Sequence, residues 1–290
     1  RLVRWRGLVS LTPLLVPVIL LSLLAVYVPA FGHSANESHH SHRWINLPVA
    51  GGLSFPASEL AKWGLIPVIA WWCLRQGPEI RRYWPGLIPA LGAIGLVCAI
   101  VALEDLGTAV LIASACTLVL IAGGASVWKL MSLMPLALPP AAFLFMGDNA
   151  YRLRRIITFL DPYADPEGAG YHMIQSLVAI ANGHGAGRGL GFGLQKFRYL
   201  PEDRTDFLFA VICEETGIAG ALTVCLLYTA LIWSGLVIVR RQQALLLKLV
   251  ALGTIATGGL EATINLAVVT GLAPTKGIAL PLLSAGGTGW

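Results

Sequence analysis

Seven apolar stretches divide this chain, at residues 8–31, 60–74, 86–103, 106–122, 130–146, 207–239 and 244–270. Most of them approach the ~20 residues that an α-helix needs to cross a bilayer core. Runs of that length spaced along a chain of 290 residues leave little for a soluble domain. The expected fold class is therefore all-α, a polytopic integral membrane helical bundle. Some stretches are short for a span, and the sixth is long enough to include a re-entrant or interfacial piece.

Composition supports the same class, with hydrophobic residues at 56% and charged residues at 12%. The length-based domain estimate for soluble proteins does not transfer, so residues 1–290 read as one membrane domain. Within it, residues 147–206 form one large extracytoplasmic loop. Cys73, Cys98, Cys116, Cys213 and Cys225 all fall in apolar stretches without metal or disulfide spacing, and read as core fillers.

Alternating the direction of the spans gathers Arg1, Arg4 and Arg6, then Arg75, Arg81 and Arg82, then Lys129, then Arg240, Arg241 and Lys248 on one side. The short connections on the other side carry chiefly Arg43 and Lys62. Positive-inside bias then makes the first side cytoplasmic and turns residues 147–206 outward. The chain begins without Met, on a basic cluster that runs into a span, and stops at Trp290 in a Gly-rich segment. Both ends read as cuts through a longer protein.

The outward segment carries the chemistry. Arg152, Arg154 and Arg155 open it, and between Gly168 and Tyr199 the only charges are Arg188, Lys196 and Arg198. A positive field of this kind suits an anionic head group such as the pyrophosphate of a lipid-linked sugar, while the plainer reading has the arginines snorkelling toward lipid phosphates. Glycine at every second position over residues 183–193 reads better as flexible linker than as a phosphate cradle, because no strand-to-helix context supports the latter. Residues 173–181 are short and amphipathic, as for a helix lying in the outer interface.

Asp206 sits at the seam where YLPEDRTDFLFAV turns from polar to apolar. An acid at a membrane boundary is a functional candidate, with helix capping as the structural alternative. Glu59 and Lys62 are three apart at the start of a span, so they share a helix face and form either a cavity-lining pair or a structural salt bridge. Glu214 is a weak metal candidate and otherwise a structural carboxylate. Lys276 meets a phosphate or is solvated in a loop. The loop holding His33, Glu37, His39, His40 and His42 matches no fixed zinc geometry.

Several motifs occur in a set order: RWINL with LSFPASELAK, LEDLGTAVLI, YRLRRIITFLDPYADPEGAGYHMIQSL, QKFRYLPEDRTDFLFAVICEETG and NLAVVTGLAPTKGIALPLLSAGG. Together they resemble the SEDS family of shape, elongation, division and sporulation proteins, and its division branch more than its elongation branch. The resemblance implies ten spans, of which this chain supplies the third to the ninth. It implies a peptidoglycan glycosyltransferase polymerising lipid II on the outer face of the bacterial cytoplasmic membrane. It makes Asp206 the essential acidic residue of that family, placed to act as the base that deprotonates the acceptor hydroxyl, with Glu59 and Lys62 as a motif pair.

Arg152, Arg155, Lys196, Glu202, Thr205 and Lys276 complete the substrate-binding or cavity-lining candidates. A divalent cation, Mg or Mn, is the one open cofactor candidate, with no organic cofactor and no nucleic-acid partner expected. The implied partners are lipid II, a monofunctional class B penicillin-binding transpeptidase and other division or elongation membrane proteins. The chain departs from the family at Arg204 for His, Glu104 for Pro and Ala285 for Tyr. Arg204 removes a proton relay and sets a permanent cation two residues from Asp206. A lipid-precursor transporter using Glu59, Lys62 and Glu261, and a non-catalytic division scaffold presenting the small residues of 253–259, stand as alternatives.

Overall fold

The structure, a computed structural model, describes residues 12–27, 32–33, 44–46, 54–146, 149–168, 170–195 and 205–285. Nine α-helices occur among these residues: α1 (Leu15–Ala25), α2 (Ala57–Gln76), α3 (Ile88–Glu104), α4 (Leu106–Ala122), α5 (Val127–Met146), α6 (Asn149–Leu160), α7 (Tyr171–Gly183), α8 (Leu208–Arg241) and α9 (Leu245–Val269). Three antiparallel strands of two or three residues, β1 (Gly32–His33), β2 (Trp44–Asn46) and β3 (Ser54–Pro56), link α1 to α2. The bundle is helical, and α1–α5, α8 and α9 coincide with the seven apolar stretches of the sequence. Among the described residues, three helices are both long and apolar enough to cross a bilayer: Tyr83–Glu104, Leu208–Arg241 and Leu245–Val269.

Backbone packing divides the chain into two compact units, Arg1–Leu144 with Gly235–Thr257, and Phe145–Ser234 with Gly258–Trp290. In the first, α1, α2, α3 and α4 bury a core that includes Ile19, Leu65, Ile69, Ile94, Cys116 and Leu120. Asp105 makes the α3–α4 hairpin. Its extended backbone ends α3, and its carboxylate accepts from the N–H groups of Gly107 and Thr108 at 3.0 and 3.1 Å and from the Thr108 hydroxyl at 2.8 Å. Those amides have no intrahelical partner, which is why an Asp at this position starts a helix. At the other end of α2, the Trp72 indole donates to the Gly86 carbonyl at 2.9 Å and ties the α2–α3 connection.

Gly253 brings α9 against α2 and α4. A Cβ there would collide with Ile66 Cγ2 and lie 2.8 Å from Val119 Cγ2. Gly253 is therefore spent inside this packing, whereas a Cβ at Gly258 would meet nothing within 4 Å. Gly253→Ala is expected to lower stability by about 1–3 kcal/mol through overpacking, read as a drop in thermal unfolding temperature in detergent.

The second unit buries Ala179 of α7, Phe209, Ala210, Cys213 and Tyr228 of α8, Ala262 and Val269 of α9, and Leu280 beyond α9. The Ser176 hydroxyl donates to the Val269 carbonyl at 2.7 Å and joins α7 to the end of α9. The extra length foreseen in the sixth stretch is used by a break: Gly217 has φ 63° and ψ −152°, and divides α8 into a short first piece and a long second one.

Candidate functional site

Asp206 lies in the turn that leads into α8. The carbonyl of Phe207 accepts the first helical bonds, from the Ala210 and Val211 N–H groups, so Phe207 holds the cap position and Asp206 precedes it. The surroundings of Asp206 come from far along the chain. Asn265 of α9, 1% exposed, donates through Nδ2 to the Asp206 carbonyl and to the Ile278 carbonyl, both at 2.7 Å. Ser284 donates to the Thr205 carbonyl at 2.5 Å and accepts the Leu280 N–H at 2.8 Å. Tyr228 of α8 donates its hydroxyl to the Pro281 carbonyl.

These bonds wrap the segment after α9 around the start of α8. Gly277 then faces the acid so closely that a Cβ there would lie 3.0 Å from Asp206 Oδ2. Lys276, next to it, has its Nζ buried. The structure therefore brings Thr205, Asp206 and the Lys276 segment into one site, with Asp206 half-buried. His172 of α7 stacks on Phe207, with ring centroids 5.9 Å apart and planes at 17°.

Glu59 and Lys62 pair as their spacing predicts. Lys62 Nζ lies 2.8 Å from Glu59 Oε1 and 2.7 Å from Oε2, and Lys62 is only 5% exposed. The Trp63 indole donates to Glu59 Oε2 at 3.2 Å, and the Lys62 ammonium sits 5.1 Å from the Trp63 ring centroid. This pair belongs to the first unit and Asp206 to the second. Arg155 is half-buried on α6. Lys196, Glu202, Arg204, the side chain of Arg152 and the side chains of the histidine-rich loop lie outside the described residues.

Glu214 is fully buried, at 0% exposure, and its carboxylate is committed to the backbone. Oε1 accepts the Leu194 N–H and Oε2 the Gln195 N–H, both at 3.1 Å, with Arg188 Nη1 3.8 Å from Oε1. Glu215 Oε2 accepts the Gly191 N–H at 3.1 Å, while the carbonyls of Glu214 and Glu215 accept from Arg188 and Gly189 at 3.0 and 2.9 Å. The alternating glycines are therefore a docked strap, where the sequence reads as flexible linker. The physical reason is close approach: a Cβ at Gly217 would lie 2.6 Å from the Gly185 carbonyl oxygen, and one at Gly187 would strike the Glu215 carbonyl.

At Glu214 the donor set does not suit a divalent cation. No three His, Cys, Asp or Glu converge among the described residues, and the Glu214 oxygens already serve amides. Sequence reasoning passed over Asn265, Ser284, Gly277 and His172 as individual residues. Each stands in a quoted motif, and Asn265 carried a signal, since an amide inside an apolar run must find partners.

The chain is similar to known proteins over nearly its whole length. Residues 3–290 match the cell cycle protein family FtsW/RodA/SpoVE. A protein of Geobacter sp. strain M18, called probable peptidoglycan glycosyltransferase FtsW, is 38% identical over 267 residues, which are 92% of this chain and 71% of that protein. Its counterpart in Marinobacter nauticus, with the same name, is 39% identical over 282 residues, 95% of this chain and 68% of that one.

Among solved structures, a chain from a peptidoglycan synthase complex that coordinates polymerization and crosslinking superposes with a TM-score of 0.77. It has 30% identity and covers 99% of this chain and 78% of its own length. The crystal structure of the Thermus thermophilus rod shape determining protein RodA gives a TM-score of 0.65 at 25% identity, over 98% of this chain and 74% of its own length. With matching motifs, matching helices and a match over nearly its full length, this multi-pass membrane chain belongs to the FtsW/RodA/SpoVE family of cell cycle proteins.

Proposed function

We propose that this chain is an inverting peptidoglycan glycosyltransferase that polymerises lipid II at the outer face of the bacterial cytoplasmic membrane. The observation that carries the reading is the half-buried Asp206, held from one side by Asn265 and faced by the Lys276–Gly277 segment. Joining two sugars from a lipid diphosphate needs a base at the acceptor hydroxyl and positive charge at the leaving group. Asp206 takes the proton from the 4-hydroxyl of the acceptor GlcNAc as that oxygen attacks carbon 1 of MurNAc on the growing chain. The bond from carbon 1 to the pyrophosphate oxygen breaks, undecaprenyl pyrophosphate leaves with the bonding pair, and the configuration at carbon 1 inverts. Lys276 supplies fixed positive charge beside this reaction.

The bonds from Asn265 and Ser284 matter because they fix the main chain at Asp206 and Thr205 and so set where the acid stands. Cations at the C-terminal turns of α2 and α8, Arg75 and then Arg240 with Arg241, support the orientation in which Asp206 faces outward. The relatives named FtsW support the division branch, and the neighbouring synthase complex supports a class B penicillin-binding transpeptidase as partner.

The test is to reconstitute the full-length protein with that transpeptidase in liposomes, supply lipid II, and resolve the products on a gel. Polymer that a muramidase digests is expected. Movement of lipid II across the bilayer without polymer would replace this reading with a transporter, and neither product would leave a scaffold.

Gly277→Ala probes placement alone. Its methyl would press on Asp206 Oδ2 and shift the carboxylate by a few tenths of an ångström, so kcat is expected to fall roughly tenfold with thermal stability nearly unchanged. Steady-state polymerisation rates beside a thermal melt check it.

A further inference from the structure

The glycine-rich strap between α7 and α8 presents an apolar tip that is exposed among the described residues. Leu190 and Phe192 are 78% and 73% exposed, and Leu194 is half exposed. The strap is nonetheless firmly held, since Arg188, Gly189, Gly191, Leu194 and Gln195 all turn their N–H groups toward Glu214 and Glu215. Its polar backbone thus faces inward and its apolar side chains outward, the reverse of a solvated loop.

Its depth follows from α8. After the break at Gly217, residues 218–241 run about 36 Å at ~1.5 Å per residue, enough to cross a hydrocarbon core of about 30 Å. With Arg240 and Arg241 at the far surface, Gly217 stands at the level of the opposite head groups. The strap is docked there, since the Ile218 N–H donates to the Gly185 carbonyl at 3.3 Å.

Charge agrees with depth. Arg188, next to the tip, is partly exposed, while the carboxylate of Glu214 is fully buried under the strap. An apolar tip flanked by a cation is the pattern of a segment seated in an anionic bilayer surface.

We propose that Leu190, Phe192 and Leu194 form a membrane anchor inserted into the outer leaflet at the level of its head groups and upper acyl chains. The inference rests on the membrane-spanning assignment and on no glycosyltransferase activity. The anchor fastens to the bilayer the strap that leads from α7 to the turn holding Asp206.

The experiment uses the full-length protein with its cysteines replaced, in nanodiscs of phosphatidylethanolamine and phosphatidylglycerol. Nitroxide labels are placed singly at Leu190→Cys and Phe192→Cys. Leu226→Cys, exposed on the spanning piece of α8, gives the lipid reference, and Glu167→Cys, exposed outside the spans, gives the water reference. Collision with oxygen and with a water-soluble nickel chelate is read by power saturation. The ratio of oxygen to nickel collisions at 190 and 192 is expected to exceed that at 167 several-fold and to approach that at 226. Nickel access equal to that at 167 would overturn the anchor in favour of a solvated loop, and exclusion of both reagents would overturn it in favour of a protein partner. A thermal melt of each labelled variant shows that the fold is retained, and the readout needs no substrate.

Discussion

Asp206→Asn is expected to reduce glycan polymerisation by about 10²–10⁴-fold, the usual contribution of a positioned general base. The variant keeps the shape of the side chain and loses only its capacity to accept a proton. The main-chain carbonyl of Asp206, which accepts the Asn265 amide at 2.7 Å, is untouched, so the thermal melt should match the parent. Asp206→Glu is expected to recover little, because the added methylene drives the carboxylate into the Gly277 segment, where a Cβ would lie only 3.0 Å from Asp206 Oδ2. Rates measured on lipid II with the transpeptidase present decide the matter. Equal polymer from parent and folded Asn variant would remove the base role from Asp206, and unfolding of the variant would show a structural duty for its carboxylate.

Glu214→Ala is expected to cost about 2–5 kcal/mol of stability, the largest structural effect in the second unit. The substitution strands the N–H groups of Leu194 and Gln195 under the strap, and a buried donor without a partner costs about 1–3 kcal/mol. Arg188 loses its carboxylate at the same time. Glu214→Gln is expected to fall between parent and Ala, since one amide oxygen still accepts while the new NH₂ group faces an N–H. Thermal unfolding gives the magnitude, and brief trypsin treatment reports the strap through cleavage at Arg188. A Glu214→Ala protein that melts with the parent and resists trypsin there would mean that the strap is held without this carboxylate.

The two substitutions separate what the two acids do, although both stand at the start of the same helix. Asp206 is held through its backbone carbonyl by Asn265. Glu214 spends its carboxylate on three backbone and side-chain neighbours. Sequence reading ranked them in the same order, but it left a metal open for Glu214, because a carboxylate near a helix start looks the same whether it binds a cation or a loop.

Helix content, the positions of the spans and the Glu59–Lys62 pair were all legible in the sequence. Each depends on neighbours within a few residues: hydropathy over ~20 positions for the spans, and three-residue spacing on one helix face for the pair. The catalytic candidate was legible for a similar reason, since Asp206 stands at a local change from polar to apolar. The motif stretches also named the right segments around it, including those that hold Lys276 and Ser284. What they could not convey was which atoms in those segments meet.

Only tertiary packing decided that Asn265 would join the carbonyls of Asp206 and Ile278, and that Gly277 would face the carboxylate. Asn265 is 59 residues from Asp206 and 13 from Ile278, and their meeting is set by how α7, α8 and α9 bury their apolar faces. Packing likewise decided the glycine strap. Glycine lacks a Cβ, so the same composition serves a flexible linker in water and a tight backbone-to-backbone contact beside Gly217. Which of the two forms depends on Glu214 and Glu215, which receive its amides.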